Sequence, residues 1–177
     1  MGDSTTPYAG LSDQRLTDLV NLDNTTTLRV GVDFTFGPPQ PYSDGSGRNT
    51  QVTLYPKAGS IWSKPETIHY TRLSLQVLRE LPSGWVNPVL ITSAPFTLND
   101  VLDSINTALG LNLTTDEIVN VQYDGVQPTY RLPINEEVSL GWIDSDYVFP
   151  AIFADIDIPL ASAIQQTALS GLTYIQP

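Results

Sequence analysis

Between Leu28 and Phe36 the sequence LRVGVDFTF places an apolar side chain at every second position: Leu28, Val30, Val32, Phe34 and Phe36. Arg29, Gly31, Asp33 and Thr35 fill the alternate positions. A period of two matches the pleat of a β-strand, so this stretch predicts a half-buried strand with its even-numbered face in a core. Val32 is expected at the centre of that face, where Val32→Asp would cost several kcal/mol because an unpaired carboxylate would enter the core.

The neighbouring stretches extend this reading. GPPQPYSDGSGRN concentrates residues that preset or tolerate turn dihedrals, so the chain leaves the sheet there. TQVTLYP returns as a strand with Val52 and Leu54 on one face. In TIHYTRLSLQVL the apolar residues change parity, from Ile68 and Tyr70 to Leu73, Leu75 and Val77. One extra residue flips an alternation, so a bulge is predicted near Thr71 and Arg72.

Two segments carry helical spacing instead. LSDQRLTDLVNLDN offers Ser12 as an N-cap and Leu16, Leu19 and Val20 as its apolar face. FTLNDVLDSINTALGLNL offers Thr97 as a cap, with Asp100 in the first turn opposing the positive end of the helix dipole. Its stripe is Val101, Leu102, Ile105, Ala108 and Leu109, and Gly110 closes it. A helical turn at TTDEIVN and strands at VNVQY, TYRLPI, WIDSDYVF and IDIPLAS complete the pattern. The expected class is α+β and strand-dominated, with antiparallel sheets or a sandwich and two or three short helices, rather than a βαβ series. The expected organisation is an N-terminal arm (1–10), a strand-rich subdomain (11–82), a Pro-punctuated connector (83–95) and an acidic α+β subdomain (96–177).

Charge bears on partners. The net charge of −11 is uneven: residues 1–88 hold eight acids and seven Lys or Arg, whereas residues 89–177 hold eleven acids and only Arg131. An acidic half repels a nucleic-acid backbone, so direct nucleic-acid binding is not expected. The acidity serves either as a solvated surface or as a docking face for a basic protein. Cysteine is absent, which excludes disulfides, thiolate catalysis and Cys-ligated metals. Neither a spanning apolar run nor a signal-peptide pattern is found, so a soluble chain without a membrane partner is expected.

The sequence contains no phosphate-binding loop, dinucleotide fingerprint or paired-His motif. His69, the single histidine, sits in a strand pattern and is expected to be structural or solvent-facing. Two D-x-D pairs, Asp144 with Asp146 and Asp155 with Asp157, each share a face in an extended chain and could hold a hard cation or supply acid and base. Calcium needs six to eight oxygen ligands and hydrolysis needs a cleft, so these four residues are read as partner contacts, with no catalytic, cofactor or metal site assigned. SDGSGRN lacks the register of a calcium loop and is read as a turn. Trp62, Trp85 and Trp142 are either loop anchors or sugar platforms.

One resemblance is carried by Asn21, Asp23 and Asn24, by Asp44, Gly45, Gly47, Asn49 and Thr50, and by Tyr70, Arg72, Leu73 and Leu75. A short helix ending in an Asn-rich turn, a D-G-x-G-x-N-T loop, an alternating strand and a Y-x-R strand, over residues 11–75, resemble a module of structural proteins of large tailed bacteriophages. The resemblance implies a non-enzymatic virion component, assembled in the host cytoplasm and placed in the head, neck, tail or baseplate. Its partners would be other virion proteins and copies of itself in a homo-oligomer, with no cofactor. The competing reading is a carbohydrate- or receptor-binding β module of a fibre or secreted protein; a small acid-catalysed hydrolase comes third.

Overall fold

The computed structural model describes residues 8–81 and 86–154. Helix α1 spans Ser12–Asn24 and is capped by Leu11, not by Ser12. Ser12 is the first helical residue, and its hydroxyl donates to Glu117 instead of accepting from the helix backbone. The helix exit is pinned by Asn21, which donates from Nδ2 to the Leu28 carbonyl (2.8 Å) and accepts the Leu28 N–H at Oδ1 (2.7 Å).

Strands β1 (Phe34–Phe36), β2 (Gln40–Pro41), β3 (Thr50–Pro56) and β4 (Glu66–Tyr70) form one antiparallel sheet in which β3 pairs with the other three. Val52 and Leu54 are buried on one face of β3, as their spacing predicts. The long strand expected from Leu28 is shortened to β1. Gly31 takes φ 78°, which favours glycine, and the Asp33 carboxylate accepts the Arg29 N–H at 2.8 Å. Residues 31–33 therefore turn, Val32 is 53% exposed, and the core position expected for it is not realised.

The bulge expected at Thr71 and Arg72 is likewise absent, because the chain leaves the sheet there. Strand β5 (Leu73–Ser74) joins a different sheet, and Leu75–Glu80 wind into a 3-10 helix capped by the Ser74 hydroxyl, which accepts the Gln76 N–H at 3.1 Å. Three residues per turn bring Leu75 and Leu78 to one side, both buried.

Next come β6 (Val89–Ile91), β7 (Phe96–Thr97), a 3-10 turn (Asn99–Val101) and helix α2 (Leu102–Leu109). Thr97 N–H and Oγ1–H both donate to Asp100 at 2.8 Å, and the whole predicted stripe of α2 is buried. Gly110 closes the helix at φ 63°. Asn106 then repeats the device of Asn21: its side chain donates to the Leu113 carbonyl (2.9 Å) and accepts the Leu113 N–H (2.8 Å), seven residues on.

The remaining strands are β8 (Gln122–Tyr123), β9 (Thr129–Arg131), β10 (Trp142–Ile143) and β11 (Val148–Phe153). Strand β11 lies between β6, to which it is parallel, and β9, to which it is antiparallel; β7 pairs antiparallel with β8, and β5 parallel with β10. The fold is α+β and strand-dominated, built mainly on antiparallel sheets with short helices. Residues 83–95, expected as a connector, include β6, whose Val89 and Ile91 are fully buried.

Two cores result. Among the described residues the larger holds twenty buried side chains between Leu75 and Phe149. The smaller holds six: Leu16, Phe34, Val52, Leu54, Tyr70 and Leu140, the last contributed from the C-terminal half.

Candidate functional site

Two of the three stretches that carry the resemblance meet at one junction. Asn49 donates from Nδ2 to the Arg72 carbonyl (2.9 Å) and accepts at Oδ1 from the Arg72 N–H (2.8 Å) and the Thr50 hydroxyl (2.8 Å). Arg72 is 5% exposed. Its Nε donates to Thr50 Oγ1 (2.9 Å), and its Nη1 donates to the carbonyls of Glu136 (2.7 Å) and Ser139 (2.9 Å). Among the described residues it forms no ion pair. Burial lowers its pKa, but a guanidinium keeps its charge in any case, so carbonyl dipoles carry that charge inside the protein. Arg72 is thus a tether between the small sheet and the loop before β10.

The loop that leads into β3 is held by its own side chains. Asp44 accepts from Ser46 N–H (2.8 Å) and the Tyr42 hydroxyl (2.9 Å). Hydrogen bonds from Ser46, and then from Tyr42, hold the Asp44 carboxyl down at about 2. Tyr42 stacks on the exposed ring of His69 with centroids 3.9 Å apart.

The acidic candidates separate. Asp144 accepts from Arg131 Nη2 (2.6 Å), from Ile134 N–H (3.1 Å) and from Ser145 N–H (2.9 Å). Asp146 reaches Arg131 Nε at 3.4 Å from an open position. This D-x-D pair therefore grips the one basic residue of its half. Asp155 and Asp157 lie outside the described residues, as does Trp85. No group of three His, Asp or Glu side chains among the described residues is placed to hold a metal ion, and none of the described helices is long and apolar enough to cross a membrane.

Glu117 was not singled out by sequence reasoning, although Thr114-x-x-Glu117 carries the pattern of a capping box. It is buried and accepts from Ser12 Oγ (2.5 Å), Ser139 Oγ (2.9 Å) and Thr114 N–H (3.1 Å). The shallow groove beside it, about 220 Å³, runs between the start of α1 and Val138 and Leu140. A carboxylate whose acceptor sites are filled by its own chain fastens α1 to the larger core.

A second opening has a different character. Beside the small core, a cleft of about 120 Å³ is lined by Leu28, Phe34, Leu54, Pro56 and Trp62, with the exposed Lys64 and Glu66 on its lip. Trp62 is 47% exposed and its neighbour Ile61 is 89% exposed. The loop presenting them is tied down by Lys57, whose N–H donates to the Asp33 carbonyl (3.0 Å) and whose Nζ donates to the Gly31 carbonyl (2.8 Å). Val32, on that same turn, is exposed as well. An apolar floor with one cation and one anion at its mouth suits an aliphatic side chain from another chain. Of the three tryptophans, Trp142 is instead a core residue, packed edge-on against Tyr8.

A family model described as a family of unknown function, DUF7941, matches residues 5–177. The chain belongs to that family. No curated protein and no solved structure matches it. The family match runs through both cores and through the Arg72 junction between them. Arg72 escaped a reading by side-chain chemistry because the acceptors of its Nη1 are backbone carbonyls, which leave no trace in residue identity. Ile61 escaped because exposure within a Gly, Ser and Pro loop has no periodic signature.

Proposed function

We propose that this DUF7941 chain is a non-enzymatic structural protein that acts by assembly, as a component of a tailed-phage virion. The observation that carries the reading is the imbalance of its N-terminal half. Six buried side chains make its core, one of them borrowed, while Leu11, Leu19, Leu22, Val32, Tyr55, Ile61 and Trp62 stand exposed on the same half. So many large apolar side chains left open around so small a core mark a half that gains from being covered.

The polar chemistry supports the same reading. Arg72, Glu117 and Asp144 direct their charges at their own chain, where they join segments to one another. Of the residues that carry the resemblance, Asn21, Asn49, Thr50 and Arg72 belong to this joinery.

A carbohydrate-binding module is favoured by the exposure of Trp62 alone. The cleft beside it is smaller than the roughly 300–1,000 Å³ of small-ligand pockets, so it suits a protein side chain better than a sugar ring.

The test is to purify intact particles from the producing host and map their peptides with copy number. Recovery of the chain at a fixed, stoichiometric copy number is the expected result. Its presence only in the soluble fraction overturns the virion setting.

A further inference from the structure

We propose that the cleft beside Trp62 is a self-association contact, in which two copies of the chain meet about a two-fold axis. Each copy inserts its Ile61 into the cleft of the other, and Lys64 of each pairs with Glu66 of its counterpart. The proposal deepens the assembly reading, and rests on it, by naming a second copy as the partner of this surface.

Three observations converge here. First, the same short loop supplies both halves of an apolar contact: a knob, Ile61, which is 89% exposed, and a wall of the cleft, Trp62. A two-fold contact requires one patch to carry both the element it gives and the element it receives. Second, the lip carries one Lys and one Glu two residues apart, both exposed, and neither forms an ion pair among the described residues. Rotation by a half-turn sets Lys64 of one copy against Glu66 of the other and repeats the pair, so the patch is complementary to itself. Third, the loop is held in place by the Lys57 bonds to Gly31 and Asp33 and by Ser60 Oγ, which donates to the Trp62 carbonyl at 3.3 Å. A knob already fixed loses less freedom on binding than a mobile one.

The experiment is light scattering coupled to size exclusion, over a concentration series of the full chain. Wild type is expected to approach twice the monomer mass as concentration rises. Ile61→Asp is expected to weaken association by more than about 30-fold, the scale of removing a central anchor. Lys64→Glu and Glu66→Lys each place like charges across the axis and are expected to weaken it about tenfold or more. Mixing these two single variants is expected to give a heterodimer, and the Lys64→Glu/Glu66→Lys double variant to regain wild-type association.

All three positions are exposed, and unchanged melting by circular dichroism confirms that each variant folds. A wild type that stays monomeric throughout, a dimer indifferent to Ile61→Asp, or a charge swap that restores nothing overturns the self-contact. If the chain is monomeric yet present in purified particles, the partner of the cleft is another virion protein and the assembly reading stands. If it is dimeric and absent from particles, the contact stands without the virion setting.

Discussion

Arg72 Nη1 lies 2.9 Å from the carbonyl oxygen of Ser139, a residue 67 positions further along the chain. With the Glu136 carbonyl on the same nitrogen and Thr50 Oγ1 on Nε, this one side chain links the small sheet to the C-terminal half. The two cores are therefore expected to unfold together.

Arg72→Met keeps an apolar stem but removes the guanidinium, which leaves these carbonyls without donors. A loss of about 3 kcal/mol or more is expected, read from the urea midpoint. Arg72→Lys keeps the charge but not the planar fork, so it is expected to recover only part of that loss. Wild-type stability in Arg72→Met would mean that water reaches the carbonyls and that the tether is dispensable.

Val32 and Val52 make a paired test of the small core. Both sit in strand-like alternation, but Val52 is 1% exposed and Val32 is on an open turn. Val52→Asp is expected to cost several kcal/mol, and Val32→Asp less than about 0.5 kcal/mol. Thermal melts of the two variants decide it, and equal destabilisation would return Val32 to the core.

That contrast shows what the sequence could disclose. Helix α2 was legible in its stripe and closing glycine, which lie within one contiguous segment and depend on local geometry. Its expected cap was not, since Thr97 ends β7, a 3-10 turn intervenes, and Val101 takes the cap position without a side-chain bond. The stretch 28–36 was only half legible: a period of two records side-chain type, but not that the Asp33 carboxylate takes the Arg29 N–H and turns the chain. The parity change after Tyr70 was visible, yet a bulge and a departure into a 3-10 helix produce the same change. Of the site, the charge asymmetry and the Asp144 and Asp146 pair could be read, whereas their grip on Arg131 depends on contacts across 13 positions or more. The cleft needs five apolar residues from separate segments, and no local pattern assembles them.

Acid should loosen two local structures. The Asp44 carboxyl is held at about 2 by Ser46 and Tyr42, and Asp100 is lowered by the N–H and hydroxyl of Thr97. A depressed folded pKa means stability that is complete above the ordinary carboxylate value of about 3.9 and is lost as pH falls through the folded value. For Asp44 that window runs from about pH 4 to about pH 2. Melting temperature against pH should thus fall more steeply for wild type than for Asp44→Asn, the gap closing toward pH 2. Parallel curves would show that the loop bonds contribute nothing in solution.

The seat of α1 gives the last prediction. A Cβ added to Gly141 would stand 2.9 Å from Ser12 Oγ, 3.3 Å from Ser12 Cβ and 3.8 Å from Arg15 Nη1. Ser12 cannot simply rotate away, because its hydroxyl is bonded to Glu117, which Ser139 and Thr114 hold in turn. Nor can Gly141 retreat freely, since its carbonyl accepts the Leu73 N–H at 3.0 Å. Gly141→Ala is therefore expected to cost about 1–3 kcal/mol, the range for overpacking a closed contact. Ser12→Ala removes the nearest atom, so the cost of Gly141→Ala should shrink in that background, a coupling that urea denaturation of the four combinations measures. Strictly additive losses would mean that the two residues do not press on each other.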